Sequence, residues 1–169
     1  KKKYPLDVYF CNSCNHLQLL DVVNPKTLFE NYLYVSGTSS VFVKHFEKYA
    51  EYLSTNFKRD GLVIDIGSND GTILKAFKRL GYEVLGVEPA KEIAEDAIKN
   101  GIDTIIDFFT PAVASEIKKK YGEASIISAN NVFAHIDNPR DFLAGVKKVI
   151  SSDNGVFCFE VSYLKDVIE

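Results

Sequence analysis

The residues Asp65-Ile66-Gly67-Ser68-Asn69-Asp70-Gly71 continue an apolar run, Leu62-Val63-Ile64, and a third acid, Glu88, stands 21 positions beyond Gly67. These types at this spacing can bind a small charged ligand. Gly67 lacks a Cβ, so a ligand can approach the backbone closely there. Asp65 can accept a hydrogen bond from an ammonium group or, through water, from a hydroxyl. Glu88 can accept from both hydroxyls of a ribose. A nicotinamide dinucleotide and a cationic sulfonium nucleoside both require an acid at that place, so the loop between must distinguish them. The dinucleotide fingerprint spaces three glycines as G-x-G-x-x-G and brings a diphosphate to a helix N-terminus. That spacing is absent here, and Asp70 near the helix start would repel a diphosphate while tolerating a sulfonium and an amino group.

Such a loop needs a buried strand before it and a helix after it. From Leu62 onward, apolar runs at 62–66, 83–87, 103–106, 124–128 and 155–161 read as strands. Helices are predicted between them. Residues 71–80 carry Ile73, Leu74, Phe77 and Leu80 at helical spacing before the stop at Gly81, and 90–100 end in the same way at Asn100-Gly101. Pro111 and Pro139 start the third and fourth helices, where a missing N–H costs nothing. The alternation predicts an α/β fold on a parallel sheet, with its ligand outside the carboxyl ends of the strands. Upstream, Phe42, Phe46, Tyr49, Ala50, Leu53 and Phe57 share one face of a helix that Ser39 or Ser40 can cap. Residues 4–24 read as a hairpin around Cys11 and Cys14, followed by a brief helix over 25–32 and a turn at Ser36-Gly37.

Other strand ends add candidates to the same pocket. Asp107-Phe108-Phe109 follows the third strand and Asn130-Asn131-Val132-Phe133 the fourth. Asn130 either faces the ligand or caps the helix that begins at Pro139. His135 is either a substrate-loop residue or a structural hydrogen bonder. Cys11 and Cys14 are either reduced surface thiols or part of a metal site, for which His16 is a conceivable third ligand, and Cys158 lies in an apolar run as a core residue.

The 169 residues suit one ordinary domain with a small appendage, and a chain of this size buries about 70% of its unfolded surface. With 46% hydrophobic and 25% charged residues, and with 12 Phe and 9 Tyr, the composition excludes disorder, collagen-like repeats and a coiled coil. The 20 basic and 23 acidic residues are too evenly balanced for a grip on nucleic acid or an anionic membrane, so the expected partner is a small polar molecule. No apolar run approaches the roughly 20 residues of a membrane span. Tyr4-Pro5-Leu6-Asp7 is no signal-peptide core, and the expected location is the cytoplasm.

The loop from Asp65 to Gly71 resembles the D-x-G-x-x-x-G loop of class I methyltransferases that use S-adenosylmethionine. Four further motifs accompany it: Tyr4-Pro5-Leu6 leading to Cys11-Asn12-Ser13-Cys14, Tyr32-Leu33-Tyr34-Val35-Ser36-Gly37, His45 on the next helix, and Asn131-Val132-Phe133-Ala134-His135. In that order they make nearly the whole chain similar to the sugar C-methyltransferases of deoxysugar biosynthesis. The resemblance implies a Rossmann-like class I methyltransferase sheet in residues 38–169, ordered 3-2-1-4-5 for the strands present, with helices on both faces. Ahead of it, residues 1–37 are implied to form part of a zinc-binding module, built as a small hairpin and helix.

For the methyl donor, the resemblance implies contacts at Asp65, Gly67, Ser68, Asn69, Gly71, Glu88, Pro89, Asp107, Phe108 and Asn130. In that picture Asp107 accepts from the adenine amino group and Phe108 covers the ring. The implied reaction moves a methyl group to a carbon beside a keto group of a nucleotide-linked deoxysugar, after a general base has made the enolate. Tyr34 and His135 are the catalytic candidates; Tyr34, and Tyr32 beside it, read also as core tyrosines. A structural zinc takes four ligands. Cys11 and Cys14 supply two, the implied second pair lies upstream, and little or no zinc is expected here. A base-bearing Glu-His pair with a nearby Tyr, and a domain for the sugar nucleotide, are implied beyond Glu169, while Glu160, Ser162 and Tyr163 could border the acceptor. The alternatives are O- or N-methyl transfer to another small molecule, a nicotinamide-dependent oxidoreductase, and a non-catalytic nucleoside-binding module.

Overall fold

Strands buried on both faces cannot end a domain on their own; helices have to cover them, and the order of elements shows how. The computed structural model describes residues 3–30, 32–57, 60–163 and 166. Strands β1 (Val8–Phe10) and β2 (Leu17–Leu19) pair antiparallel as the expected hairpin. The short helix α1 (Pro25–Phe29) follows, with the Asn24 side chain accepting from Lys26 N. It ends before Tyr32, the expected limit, because its one turn of backbone bonds closes at Glu30; Asn31 lies outside the described residues. A 3-10 turn at Ser36–Thr38 leads into α2 (Ser40–Phe57), where Phe42 N donates to Ser39 Oγ at 3.4 Å. Ser39 is therefore the cap.

The core then runs β3 (Leu62–Ile66), α3 (Thr72–Arg79), β4 (Glu83–Val87), α4 (Lys91–Lys99), β5 (Thr104–Ile105), α5 (Pro111–Tyr121), β6 (Ala124–Ser128), α6 (Pro139–Val149) and β7 (Val156–Cys158). The five strands are parallel and lie in the order β5-β4-β3-β6-β7, which is the expected 3-2-1-4-5 winding. Two strands are shorter than their apolar runs. β5 stops at Ile105 because Asp107 N turns back to Ile105 O, and β7 stops at Cys158 although Asn131 N still donates to Glu160 O at 2.8 Å.

Alternate residues of the strands feed two cores. Leu62, Ile64, Ile66, Leu85, Val87 and Ile127 pack with Val113, Ile117, Phe142 and Val146 of α5 and α6. On the opposite face Val63 and Ile126 pack with Phe46 and Leu53 of α2 and with Ile73, Leu74 and Phe77 of α3. Burying one such side chain contributes roughly 1.5–3 kcal/mol, so both layers are firmly attached to the sheet. Each of α1, α5 and α6 starts with a polar side chain that accepts an N–H, followed by Pro. For α6 that cap is Asn138, whose Oδ1 accepts from Asp141 N; Asn130 does not cap this helix. Cys158 is half-buried at the sheet edge rather than sealed in the core. Among the described residues no helix is long and apolar enough to cross a membrane.

Candidate functional site

The reversal of winding between β3 and β6 leaves a crevice at their carboxyl ends, and the loop after β3 forms its floor. Gly67 N and Ser68 N both donate to Val87 O at the end of β4, at 2.8 and 3.3 Å, and Gly71 N closes the turn on Ser68 O at 2.9 Å. Asn69 N donates to Glu88 Oε2 at 2.9 Å and Ala90 N to Glu88 Oε1 at 2.8 Å. These bonds organise the loop in advance of any ligand. Gly67 has φ +70, and a Cβ there would collide with Val132 Cγ2. Gly67→Ala therefore combines left-handed strain with a clash, and we expect it to lower stability by about 2–4 kcal/mol. Chemical denaturation against the wild type reads this, and an unshifted midpoint would contradict the close packing.

Above the loop lies a cavity of about 560 Å³. Of the residues expected from sequence, Tyr34, Asp65, Gly67, Ser68, Asn69, Glu88, Pro89, Phe108, Asn130 and His135 all line it. Gly71 does not; it is buried below, at the start of α3, where a Cβ would press on Ile102. Asp107 also lies outside the lining, exposed, with Phe108 N donating to its Oδ1 at 2.7 Å. Much of the remaining wall is aromatic: Phe29, Tyr32, Phe42, Phe46, Phe109 and Phe142. Tyr32 and Tyr34 are each 43% exposed, so they are not core tyrosines.

The polar floor suits a cationic nucleoside. Asp65 is 4% exposed and its Oδ1 accepts from Ser128 Oγ at 2.6 Å. Burial pushes its carboxyl up to about 7; the Ser128 hydroxyl works against that shift and the charge of Glu88 adds to it. Glu88, 5% exposed, is likewise raised by burial, and the N–H groups of Ala90 and Asn69 moderate the rise. Among the described residues, Ser68 Oγ and both amide atoms of Asn130 are buried without a hydrogen-bond partner. Such atoms cost free energy until something polar reaches them. Two acids, an idle hydroxyl and an idle amide therefore converge on one cavity.

Sequence reasoning did not pair His45 with Glu160. His45 Nε2 stands 2.9 Å from both carboxylate oxygens of Glu160, so α2 is tied to the chain just beyond β7. Glu160 O also accepts from Asn131 N. The pair thus braces the cavity-lining Asn130-Asn131 turn against the helix that carries Phe42 and Phe46. Nothing in a separation of 115 residues signals that contact. Tyr49, one helical turn beyond His45, has its phenol pushed upward by burial and by the charges of Cys158, Glu160 and Asp65.

The two hairpin thiols form a tight knuckle, with Asn15 N bonded to Cys11 O at 2.8 Å and Cys11 N to His16 O at 2.9 Å. The backbone N–H groups of Ser13 and then Cys14 lower the Cys11 thiol below its ordinary value. No group of three or more His, Cys, Asp or Glu side chains that could hold a metal ion occurs among the described residues. Two thiols do not meet the four-ligand requirement of structural zinc, so the described residues do not by themselves make a site for that ion.

Comparison with known proteins bears on the family and the fold. The methyltransferase domain family matches residues 42–167. Over 168 residues, or 98% of the chain, it is 34% identical to the C-methyltransferase NovU of Streptomyces niveus, of whose length it spans 40%. Among solved structures, a putative S-adenosyl-L-methionine-dependent methyltransferase of Methanococcus maripaludis superposes with a TM-score of 0.58 at 16% identity, covering 71% of this chain and 57% of that one. The plantazolicin methyltransferase BamL, in complex with an analog and SAH, superposes with a TM-score of 0.53 at 22% identity, covering 68% and 43%. At those identities the two structures speak for the fold, a class I methyltransferase sheet. On the match of residues 42–167, well over half of its length, the chain belongs to the methyltransferase domain family.

Proposed function

We propose that the cavity binds S-adenosylmethionine and that the protein moves a methyl group to a carbon beside a keto group of a nucleotide-linked deoxysugar. The observation that carries the reading is the pair of buried acids, Asp65 and Glu88, at the ends of adjacent parallel strands on either side of a glycine turn. Glu88 keeps acceptor capacity for ribose hydroxyls, since a carboxylate offers about four lone-pair sites and two are in use. Asp65 faces the cationic part of the donor. The buried Ser68 hydroxyl and Asn130 amide are polar partners for its amino-acid end, while Pro89 and Phe108 flank the adenine side. When bound, S-adenosylmethionine supplies an electrophilic methyl group on a sulfonium.

Carbon as the acceptor is supported by the kinship with a C-methyltransferase over 98% of the chain. A carbon beside a ketone becomes nucleophilic only once its proton is gone. His135 and Tyr34, which both line the cavity, are the candidates of this reading for holding or moving that proton. Asp70 argues against a dinucleotide. Its Oδ1 accepts from Thr72 Oγ1 at 2.7 Å and Thr72 N at 3.3 Å, which fills the helix end that a diphosphate needs.

Calorimetric titration is expected to register heat for S-adenosylhomocysteine and none for NADH; the reverse result would sink the donor assignment. Labelled methyl from S-adenosylmethionine, offered with nucleotide-linked keto-deoxysugars to the full-length protein, should appear as a new carbon-bound methyl in NMR spectra. Label found on oxygen or nitrogen removes the carbon half of the proposal and leaves the donor half intact.

A further inference from the structure

Asn69 has three partners at once. Besides its N–H on Glu88 Oε2, its Nδ2 donates to Tyr34 O at 2.8 Å and its Oδ1 accepts from Ser36 N at 2.8 Å. The side-chain amide therefore pairs with the main chain of residues 34–36 much as a neighbouring strand would. The residue is 8% exposed and sits at φ +50, a left-handed conformation that asparagine tolerates. Just beyond, Gly37 lies against the loop so closely that a Cβ would strike Asp70 Oδ2. Residues 32–37 thus form a strap laid across the glycine loop, and Tyr32, Tyr34 and Ser36 from it line the cavity. The rings of the strap are substantially exposed and meet edge-on or tilted neighbours, Tyr32 against Phe29 at 5.9 Å, Tyr34 against Phe42 at 6.4 Å and Tyr32 against Tyr34 at 6.3 Å. Each such pair is worth about as much as one hydrogen bond, and the two bonds of the Asn69 amide are the ones that join the strap to the glycine loop.

We propose that Asn69 is a positioning residue: its side chain docks the Tyr34–Ser36 strap over the cavity, and its N–H on Glu88 ties that docking to occupancy of the nucleoside site. Donor binding then reinforces a strap that is already docked and so steadies the wall that the acceptor meets. The inference rests on the S-adenosylmethionine reading and adds a coupling between donor site and strap to it. A ligand held by Glu88 fixes the carboxylate, the fixed carboxylate holds the Asn69 N–H, and the held loop aims the amide at the strap. Linkage makes the effect reciprocal, so whatever loosens the strap weakens the donor by the same factor.

Hydrogen–deuterium exchange of the peptide spanning residues 32–38, with and without saturating S-adenosylhomocysteine, tests this on the whole chain. In the wild type the ligand is expected to slow exchange by at least about tenfold, the worth of roughly one hydrogen bond. Asn69→Gly suits the left-handed backbone and lacks the amide. Ser36→Pro removes the donated N–H from the opposite side while leaving Asn69 and Glu88 in place. Proline fits the first position of a 3-10 turn, and Val35 at φ -118, ψ 116 suits a residue before it. Both variants should lose the ligand-dependent protection, and their affinity for S-adenosylhomocysteine should fall by the factor by which protection is lost. Binding without slowed exchange in the wild type overturns the coupling, as does full protection and affinity in either folded variant. A wild-type chain that binds no S-adenosylhomocysteine at all removes the donor reading, and the coupling with it.

Discussion

Glu88→Ala is expected to weaken binding of S-adenosylhomocysteine by at least about a hundredfold, the equivalent of roughly 3 kcal/mol. Two losses combine. The acceptor for the ribose hydroxyls disappears from a position only 5% exposed, where water replaces it poorly. The N–H groups of Asn69 and Ala90, bonded to this carboxylate at 2.9 and 2.8 Å, are then left without an acceptor in the loop. Glu88→Gln should fall between the two, because one oxygen remains while the amide nitrogen meets an N–H that also donates. Calorimetric titration reads the affinities and a thermal melt shows that the sheet is intact. Affinity of the alanine variant within about threefold of the wild type would mean that Glu88 does not face the ligand.

Asp65→Asn should separate stability from binding. The buried carboxyl titrates near 7 in the folded chain against an ordinary 3.8. Between those values the folded state binds more protons than the unfolded one, so this group makes the wild type less stable as pH rises, and the penalty is complete above about pH 7. Asparagine fills the same space, keeps an oxygen for the Ser128 hydroxyl and carries no charge. Its advantage in unfolding free energy should be small at pH 4 and grow toward pH 8, by at most roughly 1.4 kcal/mol per pH unit, reaching roughly 4 kcal/mol. Binding should move the opposite way. An ionised Asp65 attracts the cationic donor, so wild-type affinity for S-adenosylmethionine should rise as pH climbs through about 7, and the asparagine variant should bind weakly without that step. Urea denaturation and titration across pH 5 to 8.5 give both curves, and a stability gap that narrows with pH would refute the burial argument.

The parts of this protein written in local sequence were legible before its structure. A buried strand, a glycine turn, a helix start and an acid at the next strand end occupy consecutive segments, and each obeys rules that act over a few residues. Pro111 and Pro139 marked helix starts for the same reason. What stayed hidden depends on side chains meeting across the fold. Asp65 finds Ser128 at a separation of 63 residues, and His45 finds Glu160 across 115. Asn69 is the instructive case. Its place in the loop marked it as a ligand contact, yet its amide is occupied by the backbone of residues 34 and 36, and no periodicity in the segment 32–37 announces that. Asp107 shows the converse: its position after the third strand marked it as a binding acid, but the chain turns early at Ile105 and leaves it exposed outside the cavity lining.

The clamp between the glycine loop and the segment before α2 joins residues 33 and 35 positions apart, and the hairpin end of the chain has few buried side chains of its own. Heat should therefore peel that end away while the sheet is still whole, since sparsely buried segments open at lower free energy than the core. Ligand capture would fade several degrees below the calorimetric transition, and the molecule would carry an intact scaffold that has already gone silent.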